Sequence, residues 1–218
     1  MSVTTRLLVA RHGNTFAAGD IVRRVGTTDL PLVESGLMQG RMLGMYLKKN
    51  LLIPDVIFTS KLKRAIQTAE QAQSVMQTQL PMEELSIFNE IDYGPDENQA
   101  EERVRDRLGA DALNAWETDA KVPHDWKVNP LDIIQNWQDF SARIIQDYAG
   151  KIILVVTSNG IARFAPYLTG DFVAFSKQYG IKIATGALCI FETLPPCEQW
   201  NCLQWNIKPG LMDAIKGM

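Results

Sequence analysis

The chain has 218 residues, of which 46% are hydrophobic and 22% are charged, and its formal net charge is -3. This length and composition predict one globular domain that buries a full core without disulfides or metal ions. The weak negative charge argues against nucleic acid or an acidic membrane surface as a bulk partner, so any phosphate-binding site must be a local cluster of Arg and Lys.

The cysteine content predicts a reduced, cytoplasmic protein. The three cysteines, Cys189, Cys197 and Cys202, are odd in number and do not have the spacing of a zinc site. Neither a signal peptide nor a membrane span is expected, because the first apolar run, Leu7–Ala10, is short and is followed by charge.

The N-terminal half of the sequence alternates between strand and helix patterns. A buried strand is predicted at Arg6–Ala10, and residues 14–31 are rich in loop residues. In chain order there follow a helix at 36–49 capped by Ser35, a strand at 55–59, a helix capped by Ser60, and a short strand at 85–88.

Residues 95–130 differ in composition from their surroundings. They hold nine acids and five bases and are bounded by prolines. Val104, Leu108, Leu113 and Trp116 favour a packed helical insertion over the alternative, a flexible linker. We therefore expect a single domain, 1–218, that carries this helical surface insertion.

The C-terminal half continues the alternation. The pattern predicts a helix at 130–148, a strand at 151–157, a helix at 161–168, and late strands at 186–193 and 202–207 joined by a Pro195-Pro196 turn. The apolar run 151–157 is typical of the centre of a parallel sheet. The whole predicts a three-layer α/β/α sandwich with a mostly parallel central sheet.

Such folds bind ligands beyond the carboxyl ends of their strands. Two polar motifs follow predicted strands, Arg11-His12-Gly13 and Ser158-Asn159-Gly160. We therefore expect them to be neighbours.

The residues around His12 suit phosphate chemistry. A neutral imidazole can attack phosphorus while the guanidinium of Arg11 holds the oxygens. Gly13 permits close approach of the backbone, and Asn14 and Thr15 add neutral donors.

Further candidates lie in two later segments. Arg64 is about one turn from a predicted helix cap, where an anion is favoured, although a solvated basic helix start explains Lys61 and Lys63 equally well. Glu90 and Asp92 are carboxyls near strand ends, and one with a raised pKa would protonate a leaving oxygen; solvated acids in a turn are the alternative. His124 is predicted to be a surface residue. The sequence has no nucleotide-binding glycine loop and no pattern of metal ligands.

Four segments in this order resemble the histidine phosphatase superfamily, also called the phosphoglycerate mutase-like family. "VARHGNT" resembles its RHG signature, and Arg24–Gly44 resembles the segment that follows. "IFTSKLKRAIQTAE" is similar to the segment with the second phosphate arginine, and "NEIDYG" to the segment with the acid.

The resemblance implies a role for each matching residue and the α/β/α sandwich already predicted. His12 would become phosphohistidine, Arg11 and Arg64 would hold the phosphoryl oxygens, and Glu90, with Asp92 as the alternative, would protonate the leaving group. Asn14 stands where many members have Glu. No metal or organic cofactor is implied, and the expected partner is a small phosphorylated substrate.

The sequence departs from the family at Ser158, where a second histidine normally follows the strand. Ser158 and Asn159 can donate neutral hydrogen bonds, but neither supplies a positive charge. Losing one preorganised donor costs about 10²–10³ in rate.

We therefore expect a phosphomonoester hydrolase that acts through His12 and is slow or specialised. The alternative is a catalytically impaired phospho-ligand-binding or regulatory protein of the same fold. Mutase activity is less favoured, because holding a bisphosphate needs a strongly basic pocket, whereas the insertion is acidic.

Overall fold

The computed structural model of the chain describes residues 4–194 and 199–210. The strands in chain order are β1 (Thr5–Arg11), β2 (Arg23–Arg24), β3 (Val56–Thr59), β4 (Met82–Glu84), β5 (Gln99–Ala100), β6 (Ile152–Thr157), β7 (Leu188–Thr193) and β8 (Asn201–Ile207). The helices are α1 (Glu34–Lys49), α2 (Lys63–Met76), α3 (Glu101–Leu108), α4 (Ala110–Asp119), α5 (Pro130–Asp147), α6 (Asn159–Ala162) and α7 (Phe172–Tyr179).

Six strands form the central sheet in the order β4-β3-β6-β1-β7-β8. The pairs β3–β4, β3–β6 and β1–β6 are parallel, whereas β7 runs antiparallel to both β1 and β8. The apolar strand β6 lies inside the sheet, as its sequence predicts. The predicted hairpin of the two late strands is also present, with β8 at the edge; its Pro195-Pro196 turn lies outside the described residues.

Both faces of the sheet are buried, which makes the fold an α/β/α sandwich. Along β1, Leu7 and Val9 belong to one apolar cluster, while Leu8 and Ala10 belong to another on the opposite face. This alternation follows from the two-residue period of a strand. Helices α1 and α2 contribute to the cluster around Leu8, and α5 contributes Trp137 to the cluster around Leu7.

Several predicted boundaries are wrong at the starts of helices. Ser35 does not cap α1, because the helix begins at Glu34 and Ser35 lies within its first turn. Ser60 does not cap α2, which begins at Lys63 after Leu62. In both places the preceding apolar residue occupies the cap position without a side-chain hydrogen bond.

Two other segments differ from the prediction. The strand beside β3 is Met82–Glu84, and the segment predicted as a strand at 85–88 contains a 3-10 turn instead. The helix predicted at 161–168 is divided into α6 and a 3-10 helix, Ala165–Thr169, whose second residue is Pro166. Proline lacks the amide hydrogen that a continuous α-helix would use.

Residues between Pro95 and Pro130 contain the two helices α3 and α4. Val104 and Trp116 are fully buried, which explains why this acidic segment packs rather than remaining a free linker. A buried polar contact fixes its base: Asp96, 2% exposed, accepts hydrogen bonds from Arg107 Nε at 2.7 Å and from Trp126 Nε1 at 2.7 Å.

Candidate functional site

The two polar motifs meet at the carboxyl ends of neighbouring parallel strands. Arg11 of β1 is in register with Thr157 of β6, and the amide of His12 donates to the carbonyl oxygen of Thr157 at 2.9 Å. His12 and Ser158 therefore follow adjacent strands at the same edge of the sheet, as predicted.

His12 is held as a neutral imidazole. Its Nδ1 lies 2.7 Å from the carbonyl oxygen of Gly13, and because a carbonyl only accepts, Nδ1 carries the hydrogen and Nε2 keeps its lone pair. Burial, followed by the positive charges of Arg64 and Arg11, lowers the pKa of His12 well below its ordinary value. The arrangement leaves Nε2 as a nucleophilic nitrogen.

Two arginines beside His12 are anchored by main-chain oxygens. Arg11 Nη1 donates to Ile183 O at 2.7 Å, and Arg64 donates from Nη1 to Thr28 O at 2.8 Å and from Nη2 to Gly26 O at 2.6 Å. The Nε atoms of both are buried without a partner in the described part of the chain. Burial lowers the pKa of each guanidinium, and the charge of Glu90 partly offsets this effect.

Glu90 reaches the same cavity because Gly160 leaves room for it. Its Oε2 accepts from the Gly160 amide at 3.1 Å and its Oε1 accepts from the Ile91 amide at 3.0 Å. Asp92 is placed elsewhere: its carboxylate accepts from Gly94 N and lies 3.6 Å from Lys127 Nζ, toward the insertion. This geometry favours Glu90 over Asp92 as the acid of the site.

Three of the neutral candidates line the cavity, namely Asn14, Thr15 and Asn159. The Asn14 amide oxygen accepts from the Thr185 hydroxyl at 2.5 Å, and Asn159 Oδ1 accepts from Ile183 N at 2.9 Å. The Asn14 amide nitrogen donates to Ser35 Oγ at 3.3 Å, which leaves the amide nitrogen of Asn159 as the group that can turn to a ligand.

Gly13 and Ser158 are placed differently from the expectation. Gly13 does not line the cavity; a Cβ atom there would lie 2.4 Å from Gly36 O, so glycine is required for packing against α1. Ser158 is fully buried behind the cavity wall, and its Oγ has no hydrogen-bond partner among the residues described.

The cavity measures about 680 Å³ and is more basic than the sequence indicated. Its charged lining comprises six cations and three carboxylates: Arg11, Arg23, Arg24, Arg64, Arg163 and Lys182, with Glu90, Glu101 and Glu117. The acidic composition of the insertion, which counted against a polyanionic substrate, is not reflected in the lining, because the insertion contributes only two of these carboxylates, Glu101 and Glu117.

Arg24 and Arg163 are site residues that the sequence reasoning missed. Arg24 lies 5.4 Å from the ring centres of Tyr93 and Trp126 and forms a 2.6 Å ion pair with Glu101. Burial, followed by the charge of Glu90, raises the pKa of Tyr93. Their positions in the sequence could have indicated them. Arg163 ends the segment that begins with Ser158, and Arg24 begins the segment that follows the RHG motif.

Three remaining predictions concern His124, metal sites and membrane-spanning helices. The side chain of His124 is 64% exposed and its Nδ1 lies 2.7 Å from Asp125 Oδ2, so it is a surface residue as expected. In the described ranges, no group of three or more His, Cys, Asp or Glu side chains could hold a metal ion. Within the same ranges, every helix is too short or too polar to cross a membrane.

Comparison with known sequences points to one family. The sequence model of the histidine phosphatase superfamily (branch 1) matches residues 7–208. A 2,3-bisphosphoglycerate-dependent phosphoglycerate mutase of Bifidobacterium longum is 30% identical over 168 residues, which cover 76% of this chain and 65% of the relative. The match thus covers slightly less than two thirds of the length of that mutase.

Solved structures share the fold. "Mycobacterial hydrolase 2" has a TM-score of 0.79 at 19% identity, covering 99% of this chain and 98% of its own. A mycobacterial glucosyl-3-phosphoglycerate phosphatase has a TM-score of 0.74 at 18% identity, with 93% and 99% covered. An Entamoeba histolytica phosphoserine phosphatase mutant, bound to phosphoserine, has a TM-score of 0.72 at 17% identity, with 94% and 98% covered.

Proposed function

The chain belongs to the histidine phosphatase superfamily, and from this premise we propose that it hydrolyses small phosphomonoesters through a phosphohistidine on His12. The observation that carries the proposal is the state of His12. Its Nδ1 is committed to a carbonyl oxygen, its Nε2 keeps a lone pair, and two anchored arginines line the same cavity.

The proposed reaction has two steps. In the first, His12 Nε2 bonds to phosphorus as the ester P–O bond breaks, and the proton of a protonated Glu90 passes to the leaving alcohol. In the second, Glu90 removes a proton from water, the water oxygen bonds to phosphorus, and the N–P bond breaks to release inorganic phosphate. Arg11 and Arg64 would hold the phosphoryl oxygens throughout.

The proposed substrate class follows from the size and charge of the cavity. About 680 Å³ accommodates a small organic phosphate, and six lining cations against three carboxylates favour an anion. Asn14, Thr15 and Asn159 would contribute neutral contacts, whereas Ser158 and Gly13 would act behind the wall. The free thiols of Cys189 and Cys202 are consistent with a proposed cytoplasmic location.

The second candidate function is binding without turnover. Ser158 motivates this candidate function. It stands at a position that resembles that of the second histidine in the family, but a serine supplies no positive charge. On this view the protein would bind a phosphorylated ligand saturably and release no phosphate. A third possibility is mutase activity, which the name of the Bifidobacterium relative indicates and in which the phosphoryl group passes to a second hydroxyl. The trapping experiment below distinguishes it from hydrolysis.

Trapping the intermediate tests the proposal. The purified protein is mixed with a panel of phosphomonoesters, quenched rapidly in base, and mapped by mass spectrometry for phosphate on histidine. We expect phosphate on His12 together with release of inorganic phosphate. The matched control is His124→Gln, which removes the other of the two histidines and should retain the signal.

Three results would count against hydrolysis through His12. Unchanged turnover in His12→Ala would exclude this nucleophile. Saturable binding with an unmodified His12 across the panel would favour the binding protein. Labelled His12 that passes its phosphate to an added alcohol, with little release to water, would indicate a mutase.

A further inference from the structure

Arg163 extends back toward the residue that departs from the family pattern. Helix α6 begins directly after Ser158, and Arg163 follows its last residue. The guanidinium is turned to the beginning of this short helix, because Nε donates to the carbonyl oxygen of Asn159 at 3.2 Å. Arg163 therefore places a positive charge next to the segment in which Ser158 provides none.

The insertion holds this guanidinium in place. Arg163 Nη1 donates to the carbonyl oxygen of Trp116 in α4, and the guanidinium carbon lies 4.0 Å from the centre of the Trp116 ring. With Nε and Nη1 committed to main-chain oxygens, Nη2 is the remaining nitrogen. It has no acceptor in residues 4–194 and 199–210, although Arg163 is only 1% exposed and lines the cavity.

A buried cation without a bonded carboxylate is costly unless a ligand compensates it. No ion pair to Arg163 occurs in the described structure, and burial lowers the pKa of its guanidinium, as does the nearby Arg11. Tyr93, Glu117 and Glu90 act in the opposite direction. An anion in the cavity would supply the missing partner.

We propose that Arg163 takes the place of a second histidine: its Nη2 donates to a phosphoryl oxygen and supplies the positive charge that Ser158 lacks. This inference rests on the proposed phosphatase function and names one of its catalytic residues. Trp116 is then a positioning residue, since it orients the guanidinium without touching substrate. Unlike imidazole, a guanidinium keeps its charge throughout the neutral and alkaline range.

A double-mutant cycle tests the substitution of roles. We expect Arg163→Gln to lower kcat/KM by about 10²–10³, the usual effect of losing one preorganised donor. Adding Ser158→His should restore at least about tenfold of this loss at pH 6, with the recovery fading above pH 7.5 as imidazole loses its charge. In the wild-type background the same Ser158→His change should have a much smaller effect, because the charge is already present.

Controls separate this inference from the proposed function. Arg103→Gln removes an exposed arginine from α3 and should leave kcat/KM unchanged. Trapped phosphate on His12 establishes the proposed function independently of Arg163. If His12 is labelled but Arg163→Gln retains wild-type kcat/KM, only the present inference fails. It fails in the same way if Ser158→His has an equal effect in both backgrounds.

A measurement on the unmodified protein covers the case in which Arg163→Gln does not fold. In a crystal structure with vanadate bound in the cavity, we expect Arg163 Nη2 within about 3.2 Å of a vanadate oxygen. If every nitrogen of Arg163 lies more than about 4 Å from vanadate, the residue does not stabilise the phosphoryl group and the inference is overturned.

Discussion

Gly160→Ala is a direct test of how Glu90 is positioned. A Cβ atom at residue 160 would lie 2.1 Å from Glu90 Oε1, whereas ordinary van der Waals contacts begin at 3.4 Å. The oxygen must therefore retreat by about 1.3 Å, and a misplacement of about 1 Å can cost about 10²-fold in rate. We expect kcat on an alkyl phosphate to fall by about 10²-fold.

The choice of substrate makes the assay specific for proton donation. The leaving group of p-nitrophenyl phosphate departs as a stable anion, so its release needs little help from an acid. An alkoxide leaving group needs the proton. If Glu90 is the donor, Gly160→Ala should reduce turnover of p-nitrophenyl phosphate by less than about tenfold, while the alkyl phosphate shows the full loss.

Glu90→Ala provides the matched background, since it removes the two atoms nearest to the new methyl group and leaves only Ile91 Cγ1, at 3.2 Å, in close contact. Adding Gly160→Ala to Glu90→Ala should then change kcat by less than about twofold, because no acid remains to be displaced. Equal losses on both substrates, or the same 10²-fold loss in both backgrounds, would refute the reasoning. Either result would mean that the methyl group disturbs the backbone at α6 rather than Glu90.

Three further predictions concern titration, stability and ligand binding. The variant His124→Gln leaves His12 as the single histidine. The NMR signals of its imidazole should not titrate near pH 6.5, because burial and the arginines lower the pKa of His12. A titration midpoint near pH 6.5 would contradict the buried, neutral state. Asp96→Asn should lower the free energy of unfolding by about 2 kcal/mol in urea titrations at pH 7, because the charged acceptor of Arg107 is lost; a change below about 0.5 kcal/mol would show that this contact is not stabilising. Inorganic phosphate at about 100 times its Kd should raise the free energy of unfolding by about 2.7 kcal/mol, and the absence of a shift at any phosphate concentration would argue against an anion site.

The sequence predicted the fold wherever hydrophobic periodicity was strong. Strands β1, β3 and β6 and helices α1, α2 and α5 all appear close to their predicted places, because each buries a continuous or periodic apolar set. Helix α7, Phe172–Tyr179, was missed. Its signal was present, since Asp171 caps it by accepting from Ala174 N at 2.9 Å and Phe172 and Phe175 are buried three residues apart.

Helix starts were predicted less well for a physical reason. Serine is a favoured cap, and both Ser35 and Ser60 stand near a predicted helix start. The structure instead uses Ser35 Oγ to accept from the side-chain amide nitrogen of Asn14 at 3.3 Å. A tertiary contact to the loop of the site therefore overrides the local preference for capping, and such contacts are invisible in a local pattern.

Some residues of the site could be identified from the sequence, whereas others are brought together only by the fold. His12, Arg11, Arg64 and Glu90 lie in motifs that resemble the family, and all four line one cavity. Arg163 has no motif of its own. Its place depends on α4 of the insertion, which lies more than forty residues earlier in the chain, so periodicity around Arg163 could not indicate its partner.

The charges of the cavity connect the stability of the protein to its proposed function. Burial lowers the pKa of Arg11, Arg64 and Arg163, and each of them donates to main-chain oxygens rather than forming an ion pair within the described residues. Carbonyl oxygens fix the direction of a guanidinium but do not neutralise it. The cavity therefore gathers like charges that Glu90 and Glu117 offset only in part, and an anionic ligand would reduce their repulsion in a phosphatase and in a binding protein alike. The feature that bears on the choice between the two is His12, because a site built only to bind an anion would gain from a protonated imidazole. Burial and the two arginines instead lower the pKa of His12, and its Nδ1 donates to the carbonyl oxygen of Gly13.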